Sequence, residues 1–360
     1  MKAAVCYKPG EPLVIEDLEI DPPGPNEVKV KVAATAVCHT DIHVIRGELP
    51  FSFPVVVGHE SAGYIDEVGE GVTSLVPGDR VVASLLISCG KCLPCRNGRP
   101  HLCEAEWART IKPPYTNKKG EAVNQAFNIG SFAEYTVLHE SQCAKIPADM
   151  PLDRASLLAC GVITGFGAVV WRARPEVSSS CVVIGAGGVG LNSIQGAALC
   201  GAHPIIAVDI NESKLEAAKV FGATHVINSN NEDPIAAVQA RTGGRGADYV
   251  FVTAGSVQAV EQGVSMSGPR GMTVLVGLPK YGEKAAFAPN IFIRDERVLT
   301  GSYMGSTNLQ QDIPRLVTLY QAGKLKLDQL ITKRYMLEDI NEAIDAVTKG
   351  KALRNIIMME

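Results

Sequence analysis

The sequence predicts an α/β protein of two domains, one rich in β-strands and one built on a doubly wound parallel sheet. The first observation is the length, because 360 residues exceed what one domain of common size contains. The second is a change of pattern near Cys181, where polar–apolar alternation gives way to short apolar runs separated by helical stretches. The third is a glycine-rich turn at 185–190, which lies between such a run and a helical stretch.

Strands dominate the first 150 or so residues. Residues 27–32 alternate polar and apolar side chains, as a half-buried strand does. Residues 77–82 read as a Pro-Gly turn that leads into a second strand. Residues 130–138 alternate again and predict a third.

Strands and helices alternate in the second part of the chain. Asn211 is placed to cap a helix that Gly222 ends. The pattern predicts a doubly wound parallel sheet inserted into the β-rich domain, whose remainder returns after about residue 305. The predicted strands are 181–184, 205–208, 225–227, 249–253, 272–276 and a last one near 298–303.

Composition and charge disfavour two classes of partner. With 34 basic and 38 acidic side chains the net charge is −4, so no basic surplus favours nucleic acid or an anionic membrane. The longest uncharged stretch, 177–208, contains six glycines and Pro204 and therefore predicts strand, turn, helix and strand, not a membrane span. The first residues lack the apolar core of a signal peptide, so we expect a cytoplasmic protein.

Four cysteines are spaced as metal ligands on a loop rich in Gly and Pro. Four thiolates this close can form the tetrahedral sulfur shell of a closed, structural zinc site. Clustered cysteines in a reducing compartment are more often metal ligands than disulfides. An iron–sulfur cluster is the chemical alternative. The four are Cys89, Cys92, Cys95 and Cys103.

The turn Gly185-Ala-Gly187-Gly188-Val189-Gly190 predicts a dinucleotide site. It follows an apolar strand, opens a helical stretch, and is followed 19 residues after Gly190 by Asp209 at the end of the next strand. Glycines let the backbone approach a pyrophosphate at a helix N-terminus. A carboxylate at Asp209 would accept hydrogen bonds from the adenosine ribose and repel a 2′-phosphate, which favours NAD over NADP.

A third group of residues can hold a second metal ion. Two thiolates and one imidazole suffice for a zinc ion with an open fourth position. Such an ion polarises an alcohol oxygen and lowers its pKa. The residues are Cys38 in Cys38-His-Thr-Asp41, His59 in Gly58-His-Glu60, and Cys160.

Taken together, these motifs and their order resemble a zinc-dependent medium-chain alcohol dehydrogenase along essentially the whole chain. The motif G-H-E-x2-G-x5-G-x2-V, from Gly58 to Val72, is similar as well. The resemblance implies a GroES-like catalytic domain at 1–161 and 305–360, with a structural zinc lobe at about 88–104, and a Rossmann NAD-binding domain at 162–304. It implies NAD and two zinc ions per chain, one catalytic and one structural.

The resemblance also implies roles near the catalytic zinc. Thr40 matches the hydroxyl that contacts the substrate oxygen, and His43 matches the outer end of a proton relay through the nicotinamide ribose. Asp41 matches the carboxylate that orients the ligand histidine. Glu60 matches a nearby carboxylate that approaches the metal during ligand exchange. The implied ligands are Cys38, His59 and Cys160.

Further residues correspond to the family's cofactor contacts. Thr164 matches the nicotinamide contact, Lys214 the adenosine-ribose lysine and Arg354 a pyrophosphate arginine. Val276, at the end of a predicted strand, is assigned to the same site. One departure is His39, because liver-type members carry a pyrophosphate-binding arginine at this position.

The expected function is reversible, zinc-dependent hydride transfer between an alcohol and NAD, giving an aldehyde or ketone. Leu85 and residues 126–129 lie where the family builds an apolar pocket. A nicotinoprotein that retains its NAD and a non-catalytic protein that binds NAD and zinc are the alternatives. Zinc-free reductases of the same fold lack the metal ligands present here. The moderately long connection from Cys103 to Phe132 favours a homodimer over a tetramer.

Overall fold

The computed structural model of the chain describes residues 1–106, 112–280 and 282–359. They form two compact units, one of Met1–Cys160 with Asn308–Glu360 and one of Gly161–Thr307. Sequence analysis placed the corresponding junctions at 161/162 and 304/305. The predicted class, a β-rich domain with an inserted doubly wound parallel sheet, is confirmed.

The strands and helices are short and closely spaced, with Gly- and Pro-rich turns between them. The strands are β1 (Lys2–Cys6), β2 (Val14–Asp17), β3 (Glu19–Ile20), β4 (Glu27–Ala36), β5 (Val55–Val56), β6 (Glu60–Val68), β7 (Arg80–Ser84), β8 (Tyr115–Thr116), β9 (Ala122–Gln125), β10 (Tyr135–His139), β11 (Cys143–Lys145), β12 (Cys181–Ile184), β13 (Ile205–Asp209), β14 (His225–Asn228), β15 (Ala247–Val252), β16 (Ser267–Leu275), β17 (Val298–Gly301), β18 (Ile331–Met336) and β19 (Arg354–Met358). The helices are α1 (His39–Ile45), α2 (Leu93–Arg96), α3 (Leu152–Ala173), α4 (Gly188–Leu199), α5 (Glu212–Phe221), α6 (Pro234–Arg241), α7 (Val257–Met266), α8 (Asn290–Arg294), α9 (Leu309–Gln321) and α10 (Ile340–Thr348).

Two sheets organise the first unit. One has the order β2-β1-β5-β9-β8-β3, and the other has the order β11-β7-β6-β4-β19-β18 with β10 paired to β4. Strand β4 contains the predicted 27–32 and continues to Ala36, and its side chains alternate as expected, with Val28 and Val30 fully buried. These valines pack with Ile65 and Val81 into a core between the strands.

The prediction of a strand over 130–138 was wrong for its first half. Only Tyr135–His139 forms a strand. The backbone N–H of Ser131 donates to the carbonyl of Gly58, and that of Phe132 donates to the carbonyl of Val57. Residues 131–132 therefore support the loop that carries His59, a pairing that alternation alone does not distinguish from a regular strand.

The second unit is a parallel sheet in the order β14-β13-β12-β15-β16-β17. Strand order reverses beside β12, and ligands of such sheets bind beyond the carboxyl ends of the strands at this point. All six predicted strands are present, with ends shifted by at most two residues, except that β16 begins five residues earlier than predicted, at Ser267. The predicted cap is confirmed, since Asn211 Oδ1 accepts from the Ser213 N–H at 2.9 Å and Gly222, with φ +116°, ends α5.

Helix α3 carries two of the predicted site residues. It is the helix of the described chain whose length and apolar character would allow it to cross a membrane, but 83% of its most apolar window is buried inside the protein. A buried core helix has the same composition. The helix contains two π-helical stretches, Leu158–Val162 and Ala168–Ala173, and Cys160 lies in the first.

Candidate active site

Four buried side chains of the first unit converge on one point. One ligand atom from each lies within 4.8 Å of the others. Sequence analysis assigned three of the four as ligands of a catalytic metal and the fourth as a carboxylate near that metal. The residues are Cys38, His59, Cys160 and Glu60.

Each of these side chains lies at the start of a helix or strand, or at a distortion within a helix. Cys38 precedes α1, and its backbone is extended, with φ −105° and ψ 153°. His59 immediately precedes β6, of which Glu60 is the first residue. Cys160 projects from a π-helical stretch, a distortion that recurs at functional sites because it re-aims one side chain.

The Asp41 carboxylate fixes the orientation of this cluster. It is fully buried and accepts the backbone N–H of Cys38 at 3.0 Å and that of Gly58 at 3.1 Å. The same carboxylate lies 2.7 Å from His59 Nδ1. Because a carboxylate accepts, Nδ1 carries a proton, and Nε2 is the ring nitrogen that faces the cluster. That Nε2 is buried and has no hydrogen-bond partner among the described residues, which fits a metal ligand.

The electrostatics of the cluster favour a cation. The Cys160 sulfur, helped by the His59 imidazole, holds the pKa of Cys38 well below its usual value although burial opposes this. Burial disfavours a charge on His59, but Asp41 and Cys38 together raise the pKa of its imidazole to about 10. Two thiolates and one oriented imidazole are a donor set that zinc prefers, so the residues fit this ion.

Arg354 compensates the buried charge of Glu60. Its guanidinium is itself buried and donates to Glu60 Oε2. The other oxygen, Oε1, is buried without a hydrogen-bond partner in the described chain. A guanidinium beside the cluster also favours the thiolate of Cys38. Arg354, assigned by resemblance to the cofactor pyrophosphate, thus lies next to the candidate metal ligands.

Helix α1 presents the other predicted residues of this region. His39 is exposed, whereas Thr40 and His43 are half-buried. The Nδ1 atom of His43 hydrogen-bonds to a carboxylate oxygen of Glu48. Sequence analysis did not identify Glu48, because a carboxylate five residues after a histidine has no distinguishing pattern.

An aromatic pair borders the cluster. The ring of Phe127 packs edge-on against His59 with 5.2 Å between ring centroids, and Phe51 lies 4.8 Å beyond it. Phe127 has φ +56°, an unusual conformation for a bulky residue. The half-buried Leu85 packs against the same core as Phe127. Residues 126–129 were expected to line a pocket, but the sequence did not indicate that the ring of Phe127 contacts the ligand histidine.

The four cysteines of the lobe also gather their sulfur atoms within 4.8 Å of one another. Sulfurs at about 2.3 Å from a tetrahedral zinc lie about 3.8 Å apart, and Cys92 Sγ lies 3.9 Å from Cys103 Sγ. Backbone N–H groups of Lys91 and Cys92 donate to Cys89 Sγ and lower the pKa of this thiol to about 6. The lobe therefore fits a closed zinc site.

The glycine turn lies at the switch point of the parallel sheet. It follows β12, and α4 begins at Gly188 with Gly187 as its N-cap residue. A Cβ atom at Gly190 would lie 1.8 Å from the carbonyl oxygen of Gly185, so only glycine allows this approach of helix and turn. At Gly187 the space beyond the backbone is open to 4 Å, as a phosphate requires.

Asp209 is held against this turn from the end of β13. Its carboxylate accepts the N–H of Ala186 at 2.7 Å and the N–H of Asn211 at 2.9 Å. Thr253, which sequence analysis missed, hydrogen-bonds to the carbonyls of Ile184 and Gly185 at 3.0 and 2.8 Å. The turn is thus fixed from both sides, and the group fits a dinucleotide.

Three further predicted cofactor residues lie on α3, on α5 and just beyond β16. Thr164 is buried in α3, and its hydroxyl donates to Met304 Sδ at 3.6 Å. Lys214 is half-buried on α5. The N–H of Val276, just beyond β16, donates to the carbonyl of Val252.

Comparisons with known proteins agree with this geometry. Residues 24–148 match the model of the alcohol dehydrogenase GroES-like domain, and residues 188–322 match the zinc-binding dehydrogenase model. The chain is 39% identical to benzyl alcohol dehydrogenase from Acinetobacter calcoaceticus, with a TM-score of 0.93 over 100% of this chain and 99% of that one. It is 36% identical to an alcohol dehydrogenase zinc-binding domain protein from Burkholderia ambifaria, with a TM-score of 0.95 over 100% and 98%. A protein assigned as a zinc-binding dehydrogenase from Sinorhizobium meliloti, bound to NADP, is 26% identical, with a TM-score of 0.83 over 99% and 98%.

Proposed function

The chain belongs to the zinc-dependent medium-chain dehydrogenase/reductase family, and on this premise we propose that it oxidises alcohols with NAD in a reversible reaction. The products are aldehydes or ketones. The observation that carries the proposal is the buried cluster in which His59 Nε2 faces Cys38 and Cys160 without another partner.

In this proposal Cys38, His59 and Cys160 hold a zinc ion, which supplies Lewis-acid polarisation of the alcohol oxygen when bound. The role of Asp41 is to keep the His59 ring fixed through its Nδ1–H. Arg354 neutralises Glu60, so the Glu60 carboxylate does not add an uncompensated charge to the cluster. The four cysteines of the lobe hold a second, structural zinc ion.

The proton of the alcohol leaves through two residues of α1, which the ribose of a bound coenzyme would link. The Thr40 hydroxyl, two residues after Cys38, can accept one hydrogen bond and donate another. His43, one helical turn further on, accepts the proton. Its side chain is 35% exposed, so the proton can pass from the imidazole to solvent.

We propose NAD as the preferred coenzyme, whose nicotinamide accepts the hydride. Asp209 supports this choice, because two backbone N–H groups hold its carboxylate beside the glycine turn. A fixed carboxylate there repels a 2′-phosphate. Because the similar Sinorhizobium protein was bound to NADP, the ratio of kcat/KM with NAD to kcat/KM with NADP is the measurement that tests this choice.

We propose apolar, aromatic alcohols as substrates. The ring of Phe127 lies beside the ligand His59 and the ring of Phe51 packs against Phe127, and aromatic rings prefer edge-to-face partners at centroid distances of about 4.5–7 Å. The similarity to a benzyl alcohol dehydrogenase supports this class. The substitution Phe127→Ala should lower kcat/KM for benzyl alcohol more than kcat/KM for ethanol.

A panel of alcohols tests the proposal. The purified, zinc-loaded chain is mixed with each alcohol and with NAD or NADP, and formation of the reduced coenzyme is followed by absorbance. We expect turnover of benzyl alcohol with NAD, and reduction of benzaldehyde with NADH. Absence of turnover with every alcohol in a chain that contains two zinc ions would refute the proposal.

For assembly and location we propose a cytoplasmic homodimer whose partners are small molecules. The absence of a basic surplus in the sequence, with a net charge of −4, supports small-molecule partners over nucleic acid. Light scattering on a sizing column measures the dimer directly.

A further inference from the structure

A short turn after α1 returns the chain so that the Glu48 carboxylate meets the ring of His43. Glu48 Oε2 and His43 Nδ1 form a hydrogen bond in which both side chains are partly buried, 27% and 35% exposed. Neither residue belongs to the buried metal cluster. This contact lies in the first unit and involves the residue assigned as proton acceptor.

The backbone builds this contact. Helix α1 ends at Ile45, and Arg46 is its C-cap residue. Gly47 has φ +71°, and a Cβ atom there would also lie 2.9 Å from Pro9 Cβ, so glycine is required on two counts. The Glu48 N–H then donates to the carbonyl of His43 at 2.9 Å. The side chain of Glu48 is thereby held next to the ring by its own main chain.

We propose that Glu48 is a positioning residue that selects the tautomer of His43. A carboxylate accepts, so the Nδ1 atom of His43 carries the proton and Nε2 keeps its lone pair. Only that tautomer can accept a proton at Nε2. This inference rests on the proposed function, since it is there that His43 accepts the proton of the alcohol.

The tautomer is measured directly by NMR of the chain labelled with ¹⁵N-histidine, without coenzyme or alcohol. We expect the proton of His43 on Nδ1 in the unchanged chain and mainly on Nε2 in Glu48→Ala. The matched control is Glu11→Ala, which removes a 54% exposed carboxylate paired with Lys8 and should leave the His43 signals in place. The same His43 tautomer in Glu48→Ala as in the unchanged chain would overturn the proposal.

The kinetic consequence is measured in the first turnover of NAD and benzyl alcohol by stopped flow. We expect Glu48→Ala to slow NADH formation about tenfold, a part of the 10²–10⁴-fold that a positioned acid or base contributes. KM values should stay within about twofold, since a residue that only positions the base adds no substrate contact.

A double-mutant cycle with His43→Gln separates positioning from general damage. In the His43→Gln background, Glu48→Ala should cause no further slowing. Equal slowing in both backgrounds would show that Glu48 acts independently of His43 and would overturn the proposal. If the unchanged chain oxidises no alcohol, the proposed function fails, while the tautomer measurement still decides whether Glu48 sets the state of His43.

Discussion

Asp41 is the residue whose replacement best tests how the cluster is held together. The substitution Asp41→Asn keeps the shape of the side chain and replaces one oxygen by an NH2 group. In the structure one oxygen faces both His59 Nδ1 and the Gly58 N–H, and the other faces the Cys38 N–H. An asparagine that keeps the first pair turns its NH2 group toward the Cys38 N–H, so two donors face each other.

The expected loss of folding stability follows from these contacts. The buried Cys38 N–H loses its acceptor and is left unsatisfied, at about 1–3 kcal/mol, and the hydrogen bonds of His59 and Gly58 lose a charged acceptor as well. A net cost of about 3 kcal/mol corresponds to a fall in Tm of roughly 6–12 °C for a unit of 150–250 residues. A weakened orientation of the ligand histidine should also reduce zinc affinity about 10–100-fold.

The assay combines thermal unfolding with zinc content by elemental analysis after dialysis against a weak chelator. The matched control is Asp17→Asn, which removes a 58% exposed carboxylate paired with Lys118. We expect the control to match the unchanged chain in Tm and zinc content, and Asp41→Asn to lose stability and one zinc ion. An Asp41→Asn protein with unchanged Tm and two retained zinc ions would refute the reasoning.

Three further substitutions address other parts of the molecule. Cys95→Ser should lose the lobe zinc and lower Tm, because a closed tetrahedral site needs all four ligands, and full zinc content with unchanged Tm would contradict this. Asp209→Ser should shift the NAD-to-NADP ratio of kcat/KM by at least about tenfold, or about 1.4 kcal/mol, toward NADP, and an unchanged ratio would place the ribose contact elsewhere. Burial alone would raise the pKa of Asp153, but hydrogen bonds from Arg154 and Arg334 hold it below its ordinary value. The stabilisation it gives is therefore complete above the ordinary pKa and lost as pH falls through the lowered one. In unfolding measurements, Asp153→Asn should lower the free energy of unfolding by about 2 kcal/mol at pH 7 and by almost nothing near pH 2. The cost at pH 7 is less than that of breaking a fully buried ion pair, because both arginines are partly exposed. An equal cost at both pH values would contradict this.

The sequence predicted most reliably the features that depend on short spacing. The lobe cysteines span 15 positions, Cys89 to Cys103, and the glycine turn has a fixed distance to Asp209, so local pattern and geometry coincide. The ligands Cys38, His59 and Cys160 are far apart in the chain, so their residue types suggested a second metal site and the resemblance implied their catalytic role. Contacts formed by side-chain packing escaped prediction, because neither the pairing of Glu48 with His43 nor the edge-on contact of Phe127 with His59 leaves a periodic signal.

The same limit explains the strand predicted at 130–138. Alternation indicates that every second side chain is buried, but it does not specify the partner of the backbone. In the structure Ser131 and Phe132 hydrogen-bond to the loop before β6 instead of extending β10. That arrangement supports the His59 loop, so the local irregularity belongs to the construction of the site.

Replacement of Cys160 by alanine tests the central claim most directly. The claim is that the buried cluster, and not the cysteine lobe, carries the chemistry. Zinc per chain, NADH binding by fluorescence and oxidation of benzyl alcohol are measured on the same preparation. The account predicts a fall from two zinc ions to one, NADH binding within about twofold of the unchanged chain, and a loss of turnover of about a thousandfold, equivalent to about 4 kcal/mol. Near-normal turnover in a Cys160→Ala protein would contradict it.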